Sequence, residues 1–306
     1  MQSCWGQQSP QYSQFNLNKY LLNPAFGGLE RSLSVTAFYR TQWDQIEGAP
    51  KQQGINAHMP VYLIGGSVGF SLLNETAGLE RNTSFSVSYN AVRQQGFGLF
   101  SLGASLGVIQ KSIDFSQSLT PDGQYTTGIN HNDPILGIGR ANGINALWSV
   151  GGYFSNDWTE LGVRVQNLPN RAIQLEELNI NLEPDYTFFA EFKALNAIRG
   201  LKIKPALLLN RNNQETQISV LALTEYGNIF GGIGLRGYNN DSIESIIFLM
   251  GVQIDKNYRV SYSYDYGLNS IGRVSDGSHE FILNYNLQKL IGIGLDPPII
   301  YNPRNL

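Results

Sequence analysis

The sequence has few cysteines, few charged residues and no long apolar run, and each of these shortages excludes a class of protein. Its 306 residues contain a single cysteine, Cys4, so no disulfide forms within the chain. Only 15% of the residues are charged, below the roughly 25% of typical soluble domains. The longest purely apolar run, Ile246 to Val252, is far shorter than the ~20 residues that a membrane-spanning helix needs. The sequence therefore excludes a disulfide framework and a helical membrane protein.

The net charge and the first residues exclude two further possibilities, a nucleic-acid-binding protein and a complete secretory signal. The net charge of -3 provides no positive field, so nucleic acid is excluded as a partner. The N-terminus lacks both a basic stretch and an apolar core, so it is not a complete secretory signal. Either the signal has been trimmed from this sequence or residues 1–7 are a signal remnant. The 33 glycines favour many strands and tight turns.

Apolar and polar residues alternate along most of the chain. In residues 84–91, Phe85, Val87 and Tyr89 share one face of a strand and serines share the other, because successive strand side chains point oppositely. About fourteen segments show this pattern, an even number, as closed outer-membrane barrels prefer. The predicted strands are residues 32–39, 54–60, 67–73, 84–91, 99–109, 143–154, 158–166, 185–194, 201–210, 217–223, 228–237, 245–253, 257–266 and 278–287.

The connections between these strands favour a barrel. Those after odd-numbered strands are often long and those after even-numbered strands are short, as in outer-membrane barrels. We therefore predict an all-β fold, a closed antiparallel transmembrane β-barrel of about 14 strands. A soluble sandwich or propeller is the alternative, although no repeat of about 40 residues supports a propeller. Residues 112–142 form one of the long connections, and residues 113–134 within it are predicted to be a solvated external loop.

Two features of the predicted strands leave alternatives open. Pro205 cannot donate a ladder hydrogen bond, so we expect a bulge there or a strand that begins near Ala206. Charges on the non-apolar strand faces either line a solute path or form an ionic network that fills the interior. These inward charges are Glu160, Arg164, Glu191, Lys193, Lys202 and Lys204.

No constellation of residues indicates an enzyme. The three histidines, His58, His131 and His279, have no metal-ligand spacing, so neither a metal site nor a cofactor is expected. Ser278 and His279 are neighbours on a predicted strand and point to opposite faces, so they cannot form a catalytic dyad. A barrel hydrolase built from distant partners is the alternative.

Five linked motifs resemble the PorP/SprF family of outer-membrane barrels. They are SPQYSQF (9–15), NPAFGG (23–28), YRTQWDQIEGAP (39–50), SYDYGLNSIG with GSHEFILNY (263–285) and YNPRN (301–305). The match follows the family order along the whole chain, with NPAFGG where the family tends to show NPAYAG. The resemblance implies an outer-membrane protein of Bacteroidota-type cells that acts in type IX secretion and gliding motility.

The resemblance also implies what the protein contacts. The expected partners are outer-membrane lipid, the C-terminal region of secreted surface adhesins, and periplasmic ring lipoproteins of the secretion machinery. No small-molecule substrate is expected. The alternative function is a channel similar to fatty-acid or porin-type transporters.

The predicted organisation has three parts. Residues 1–31 form an N-terminal periplasmic segment, residues 32–287 the barrel and residues 288–306 a C-terminal periplasmic tail. The residues in the matched motifs are candidate contacts with partners or with a plug. They are Asn23, Pro24, Tyr39, Arg40, Gln42, Trp43, Gly48, Ala49, Pro50, Ser278, His279, Glu280, Tyr301, Asn302, Pro303 and Arg304.

Two groups of these residues carry specific hypotheses. Arg40 and Trp43 are expected to stack or pair inside the barrel mouth, with residues 48–50 turning the loop inward. Alternatively, Tyr39 and Trp43 are only anchors at the membrane interface. Asn23, Pro24 and residues 301–304 either contact periplasmic partners or tether the termini to the base of the barrel.

Overall fold

The structure is a computed structural model that describes residues 11–126, 128–132, 139–167, 171–175, 178–193, 195–198, 201–238, 243–289 and 291. Its strands follow one another along almost the whole described chain. The first nine are β1 (Ser34–Thr41), β2 (Lys51–Val61), β3 (Gly66–Ala77), β4 (Glu80–Gln95), β5 (Gly98–Asp114), β6 (Arg140–Ser155), β7 (Thr159–Gln166), β8 (Arg171–Leu175) and β9 (Leu178–Leu182). The others are β10 (Asp185–Phe192), β11 (Leu195–Ile198), β12 (Leu201–Arg211), β13 (Thr216–Tyr226), β14 (Ile229–Tyr238), β15 (Ile243–Gln253), β16 (Tyr258–Gly267) and β17 (Ser278–Asn286).

Fourteen of these strands form a closed antiparallel barrel. Strands β1 to β7 and β12 to β17 each pair with their neighbours in the chain, β1 pairs with β17, and β10 closes the wall between β7 and β12. The short β11 pairs with the first residues of β12, and β8 and β9 form a separate hairpin. The predicted fold and strand count are confirmed, and an even count places both barrel termini at the same end.

The alternating pattern assigns the two faces as predicted. In β16, Ser261, Ser263 and Asp265 are buried in the interior, whereas Tyr258 and Tyr266 are exposed on the outside. Other outward apolar side chains, such as Val87, Leu106 and Val150, are 50%, 53% and 64% exposed. The soluble alternative is wrong, because these apolar rows point away from the molecule instead of meeting in a common core.

One long connection is shorter than predicted and another has its own structure. Strand β5 continues to Asp114 and β6 begins at Arg140, so residues 112–114 and 140–142 at the two ends of this connection belong to the barrel wall. In the connection after β7, the β8–β9 hairpin packs Ile173 and Leu175 against Ile109, Ile113 and Ala141 on the inward face of β5 and β6. This apolar contact holds the hairpin over one side of the lumen.

Pro205 lies inside a continuous strand, contrary to both expectations. Strand β12 begins at Leu201 and pairs with β13 without a register shift, including Pro205 opposite Ala222. On its other side, β10 pairs with β12 up to Ala206 and β11 pairs with it from Ile203. The position therefore faces the break between β10 and β11, where no ladder donor is required.

The prediction of an N-terminal periplasmic segment outside the barrel is wrong for the residues that the structure describes. Residues 11–31 lie within the lumen, where a short helix, α1 (Lys19–Leu22), is followed by a single 3-10 turn, Pro24–Phe26. Their apolar side chains join a core with the inward residues of β6, β10 and β12 to β15. That core contains Phe15, Leu22, Ala25, Tyr153, Phe189, Ala206, Leu208, Leu221, Leu223, Phe230, Ile247 and Leu249. Burial of these side chains explains why the segment does not remain in solvent.

No helix in the described ranges is long and apolar enough to cross a membrane. Of the predicted C-terminal tail, residues 292–306 lie outside the described residues.

The assignment of the outward face predicts a depth-dependent cost for charge. Leu106 lies at the middle of β5 and Gln110 lies on the same outward face nearer the loop end. In lipid vesicles we expect Leu106→Lys to lower the free energy of unfolding by about 2–4 kcal/mol and Gln110→Lys by about 0–1 kcal/mol. Equilibrium denaturant unfolding measures both, and equal costs would contradict the assignment.

Candidate functional site

Residues 11–31, which we call the plug, run through the lumen from one mouth to the other. Ser13 contacts Arg40 near the end of β1, at the mouth that carries the longer loops. Lys19 contacts Glu160 at the start of β7, close to the opposite mouth. The segment then joins β1 beside the end of β17, where the Leu287 amide donates to the Leu33 carbonyl. We call these ends the loop mouth and the terminal mouth.

At the loop mouth, four buried ionised side chains surround Ser13. This mouth cluster consists of Arg40, Arg236, Asp265 and Glu280. Nη2 of Arg40 lies 2.8 Å from Oδ2 of Asp265, and its Nη1 lies 3.1 Å from Oε2 of Glu280. Nη1 of Arg236 lies 2.7 Å from the same Asp265 oxygen. All four side chains are at most 3% exposed, so each charge depends on these pairings for its stability.

The plug completes the hydrogen bonds of the mouth cluster. The Ser13 hydroxyl accepts from Arg40 and Arg236, at 2.8 Å each, and donates to Asp265 at 2.7 Å. The Ser13 amide donates to Glu280 at 2.7 Å, and the Gln14 side-chain amide donates to the Glu280 carbonyl at 2.8 Å. Because buried polar groups without partners are costly, the cluster and the plug stabilise each other.

A second anchor lies nearer the terminal mouth. Nζ of Lys19 is 2.6 Å from Glu160 and 2.8 Å from Glu191. The two carboxylates compensate the cost of burying the Lys19 ammonium, whose side chain is only 10% exposed. Lys193 also lies 3.4 Å from Glu160. Lys19 is therefore held in its charged form between the two carboxylates.

Between and beyond these anchors the plug lies directly against the barrel backbone. The Asn23 side chain donates to the carbonyls of Gly152 and Val163, at 3.0 and 2.9 Å. A Cβ atom on Gly103 would lie 2.5 Å from the Ala25 nitrogen, and one on Gly151 would clash with Oδ1 of Asn23. Glycine is required at both positions because the plug approaches the wall too closely for a side chain.

The structure brings some of the predicted site residues together and separates others. Arg40 and Glu280 point inward and meet, whereas Tyr39 points outward and is 42% exposed. Arg40 does not stack on Trp43 but pairs with carboxylates. Trp43 instead lines a small cavity of about 10 Å³ beside Arg236. The expected Arg40–Trp43 pair is therefore wrong, because two acidic residues compete successfully for the guanidinium.

The loop between β1 and β2 is fastened to the loop before β17. Trp43 and Gln45 have φ angles of 54° and 68°, a left-handed conformation that is unfavourable for non-glycine residues. Their backbone is held by hydrogen bonds from the Trp43 amide to the Ser278 hydroxyl, at 3.1 Å, and from the Asp44 amide to the Gly277 carbonyl, at 2.8 Å. The two loops therefore form one rigid surface.

The other motif residues in this loop support its turn. The Gln42 amide donates to the Pro50 carbonyl at 2.9 Å, and the Ala49 amide donates to Ile46 at 3.0 Å. Gly48, with φ of 74°, accepts from the Gly78 amide at 2.8 Å. This last bond joins the loop to the adjoining β3–β4 turn.

Ser278 and His279 lie on opposite faces of β17, as predicted. Ser278 is buried inside, whereas Nδ1 of His279 lies 2.7 Å from the Tyr262 hydroxyl on the outside. This bond explains how Tyr262, near the middle of β16, satisfies its hydroxyl on the apolar face.

The remaining motif residues and inward charges are placed as follows. Asn23 and Pro24 lie inside the barrel, and residues 301–304 lie outside the described residues. Five of the six inward charges form ion pairs: Glu160 and Glu191 with Lys19, Lys193 with Glu160, Arg164 with Asp185, and Lys204 with Glu225. The ionic-network interpretation is confirmed for these five.

Sequence reasoning missed four residues of the plug and its anchors. Ser13 and Asp265 lay within matched motifs but were not singled out, and Lys19 and Arg236 were not considered. For Arg236 the signal was present, since an isolated arginine on the non-apolar face of a glycine-rich strand needs a buried partner. Within the described ranges, no group of metal-ligating side chains accompanies them.

The sequence matches one family over most of its length. The sequence model described as "Type IX secretion system membrane protein PorP/SprF" matches residues 5–285. A search of curated proteins found no match. Together with the closed barrel, the family match places the chain in the outer membrane.

Several solved barrels are similar in fold at low identity. CdiB from Acinetobacter baumannii is 7% identical with a TM-score of 0.44, covering 83% of this chain, which spans 60% of CdiB. A deletion mutant of the monoaromatic hydrocarbon channel TodX is 11% identical with a TM-score of 0.39, over 83% and 87% of the two chains. A double mutant of Rh. blastica porin is 10% identical with a TM-score of 0.37, over 83% and 99%.

The mouth cluster predicts a large effect from neutralising one buried carboxylate. Asp265→Asn leaves two buried guanidiniums with less compensation, so we expect the free energy of unfolding in vesicles to fall by about 3–5 kcal/mol. Asp114→Asn is the matched control, because Asp114 is 23% exposed and pairs with Arg140, which is 61% exposed. The control should lower the unfolding free energy by at most about 1 kcal/mol, and a similar loss in both variants would contradict the prediction.

The close approach of Asn23 predicts that Gly151→Val displaces the plug and opens the lumen. We expect the unaltered chain to be nearly silent in planar bilayers and Gly151→Val to conduct ions. Gly152→Val is the control, because its Cβ points outward and meets Val163 and Leu102 at ordinary distances of 3.5 and 3.7 Å. Steady open steps from the unaltered chain, or equal conductance of both variants, would show that the plug does not close the barrel.

Proposed function

Because this chain belongs to the PorP/SprF family of type IX secretion system membrane proteins, we propose that it is a closed outer-membrane barrel on which exported surface proteins dock. The observation that carries this proposal is the occupied lumen. A barrel whose interior is filled by its own N-terminal segment offers its two mouths as binding surfaces instead of a path for solutes. The role is non-enzymatic and needs no cofactor.

The loop mouth is the surface that we assign to the exported protein. Short turns lie at the terminal mouth and the longer connections at the loop mouth, an asymmetry that orients barrels with the longer loops outside the cell. The fastened loops at Trp43 and Ser278 and the β8–β9 hairpin present a preformed surface, which reduces the entropy lost on binding. Leu119 and Val274, 78% and 72% exposed there, offer apolar contacts.

We assign one proposed partner to each mouth of the barrel. The C-terminal region of an exported adhesin docks at the loop mouth, and periplasmic ring lipoproteins of the secretion machinery contact the terminal mouth. Such an arrangement couples a surface adhesin to machinery beneath the membrane, which is what gliding motility requires. No observation favours the porin-type alternative.

Affinity isolation tests the docking proposal. The tagged chain is purified from detergent-solubilised outer membrane, and co-purifying exported protein is quantified. We expect Leu119→Asp with Val274→Asp to reduce capture about tenfold, because an ionised carboxylate in an apolar contact is costly. The matched control, Leu63→Asp with Ile254→Asp, changes residues that are 92% and 63% exposed on turns at the terminal mouth. Equal capture by the two double variants would refute docking at the loop mouth.

A further inference from the structure

The outward surface of β2 to β5 changes from apolar to polar as these strands approach the loop mouth. Residues that pair across an antiparallel ladder share one level and one face of the sheet, so the outward side chains form rows. One row is apolar throughout and each of its members is 37% to 51% exposed: Ile55, Leu72, Phe85 and Val108. The next row toward the loop mouth is polar throughout: Gln53, Asn74, Thr83 and Gln110. The edge of the hydrocarbon layer therefore lies between these two rows.

The row after that carries two cations, and we call it the basic row. It consists of Lys51, Thr76, Arg81 and Ser112, which pair across the four strands at one level. Lys51 and Arg81 are exposed, whereas the residues that alternate with them point into the lumen. With a rise of about 3.3 Å per residue and a strand tilt of about 40°, the basic row lies about 5 Å above the polar row. This height falls within the lipid headgroup layer, which is about 5–7 Å thick on each side of the membrane.

The two cations flank a single hydroxyl. Lys51 and Arg81 both pair with Thr76, so their backbones are two strand spacings apart, about 10 Å, which long side chains can span from both sides. Nε of Arg81 donates to Oδ1 of Asn74 at 2.9 Å, which holds the guanidinium on the outward face. Among the described residues, neither the Nη groups of Arg81 nor Nζ of Lys51 has a protein acceptor. These donors therefore remain for an acceptor outside the protein.

The carboxylates at neighbouring strand positions do not neutralise these cations. Glu75 and Glu80 alternate with the basic row, so their side chains point into the lumen, where Glu80 pairs with Lys111 at 2.6 Å. Asp114 lies beyond the basic row on β5 and pairs with Arg140. The first two carboxylates are separated from the outer surface by the barrel wall, and the third is balanced by its own partner.

The β1–β2 loop contributes one exposed carboxylate near the basic row. Asp44 lies on the far side of this loop, beside β17, because its amide donates to the Gly277 carbonyl at 2.8 Å. Glu47 is exposed on the part of the loop that leads into β2. With Lys51 and Arg81 against Glu47, the outward surface retains a net positive charge, which attracts anionic headgroups.

We propose that Lys51, Thr76 and Arg81 bind a phosphate group of a glycolipid in the outer leaflet of the membrane. A lysine and an arginine donate charge-assisted hydrogen bonds to phosphate oxygens, and the threonine hydroxyl between them supplies a third donor. The acyl chains of the same lipid then cover the apolar row below, including Ile55 and Leu72. The inference uses the orientation of the loop mouth toward the outside of the cell and does not depend on the exported partner.

Binding of a defined lipid tests this site. The full chain in detergent is incubated with monophosphoryl lipid A, or with the same lipid after enzymatic removal of its phosphate, and native mass spectrometry measures the bound fraction. We expect the phosphorylated lipid to bind about tenfold more tightly, because both lipids share the same acyl chains and differ in the charged group. An excess of inorganic phosphate should leave most of the lipid bound, since free phosphate lacks the acyl contacts.

Variants of the two cations locate the binding. Lys51→Gln with Arg81→Gln should weaken binding of the phosphorylated lipid about tenfold and leave the dephosphorylated lipid unaffected. Arg93→Gln with Lys256→Gln removes the same charge at exposed positions near the terminal mouth, and should keep the affinity within about twofold. Lys51→Arg with Arg81→Lys retains both charges and should stay within about threefold of the unaltered chain, which separates loss of charge from misfolding.

The outcomes distinguish a lipid site from other uses of the two cations. Equal binding of the two lipids, equal loss in the control variant, or displacement of the lipid by inorganic phosphate would each overturn the lipid site. Capture of exported protein in the affinity isolation should be unaffected by Lys51→Gln with Arg81→Gln. Loss of that capture with unchanged lipid binding would assign the two cations to protein docking and would also overturn the lipid site.

Discussion

The structure depends on the cost of burying ionised groups inside a barrel whose outside is in lipid. Arg40, Arg236, Asp265 and Glu280 cannot point outward, because charged side chains on a lipid-facing surface are destabilising. They cannot remain alone in the interior either, because a buried charge needs a partner of opposite sign and hydrogen bonds to its remaining atoms. Pairing and the Ser13 contacts satisfy both requirements.

This constraint links the barrel to the plug. The polar and charged atoms at the loop mouth hold Ser13, and Glu160 with Glu191 holds Lys19. Apolar side chains of the plug, Phe15 and Leu22 among them, cover the inward residues of β10 and of β12 to β15. The plug is therefore fixed by charge at two levels and by apolar burial along its length. A closed lumen follows, and under the proposed docking function the two mouths are the surfaces that remain for partners.

Most of the barrel wall was predictable from the sequence, and each wrong or missing prediction has a local structural cause. The alternation of apolar and polar residues predicted the strands, because each strand of a membrane barrel needs an apolar face toward lipid. The same alternation predicted correctly which side chains face the lumen and which face outward. Pro205 was misread because a break between two other strands, β10 and β11, removed the need for its missing donor. The β8–β9 hairpin was missed because its apolar residues, Ile173 and Leu175, pack on the inside of the wall instead of facing lipid.

The sequence by itself determined which side chains face lipid, the even number of strands and the family, because each depends on the order of residues along the chain. The tertiary structure alone decided where the plug lies and which charges meet. Arg40 and Glu280 are far apart in sequence and become neighbours only when β1 pairs with β17. The plug has no regular periodicity, so its position depends on the shape and charge of a lumen that exists only after the barrel closes.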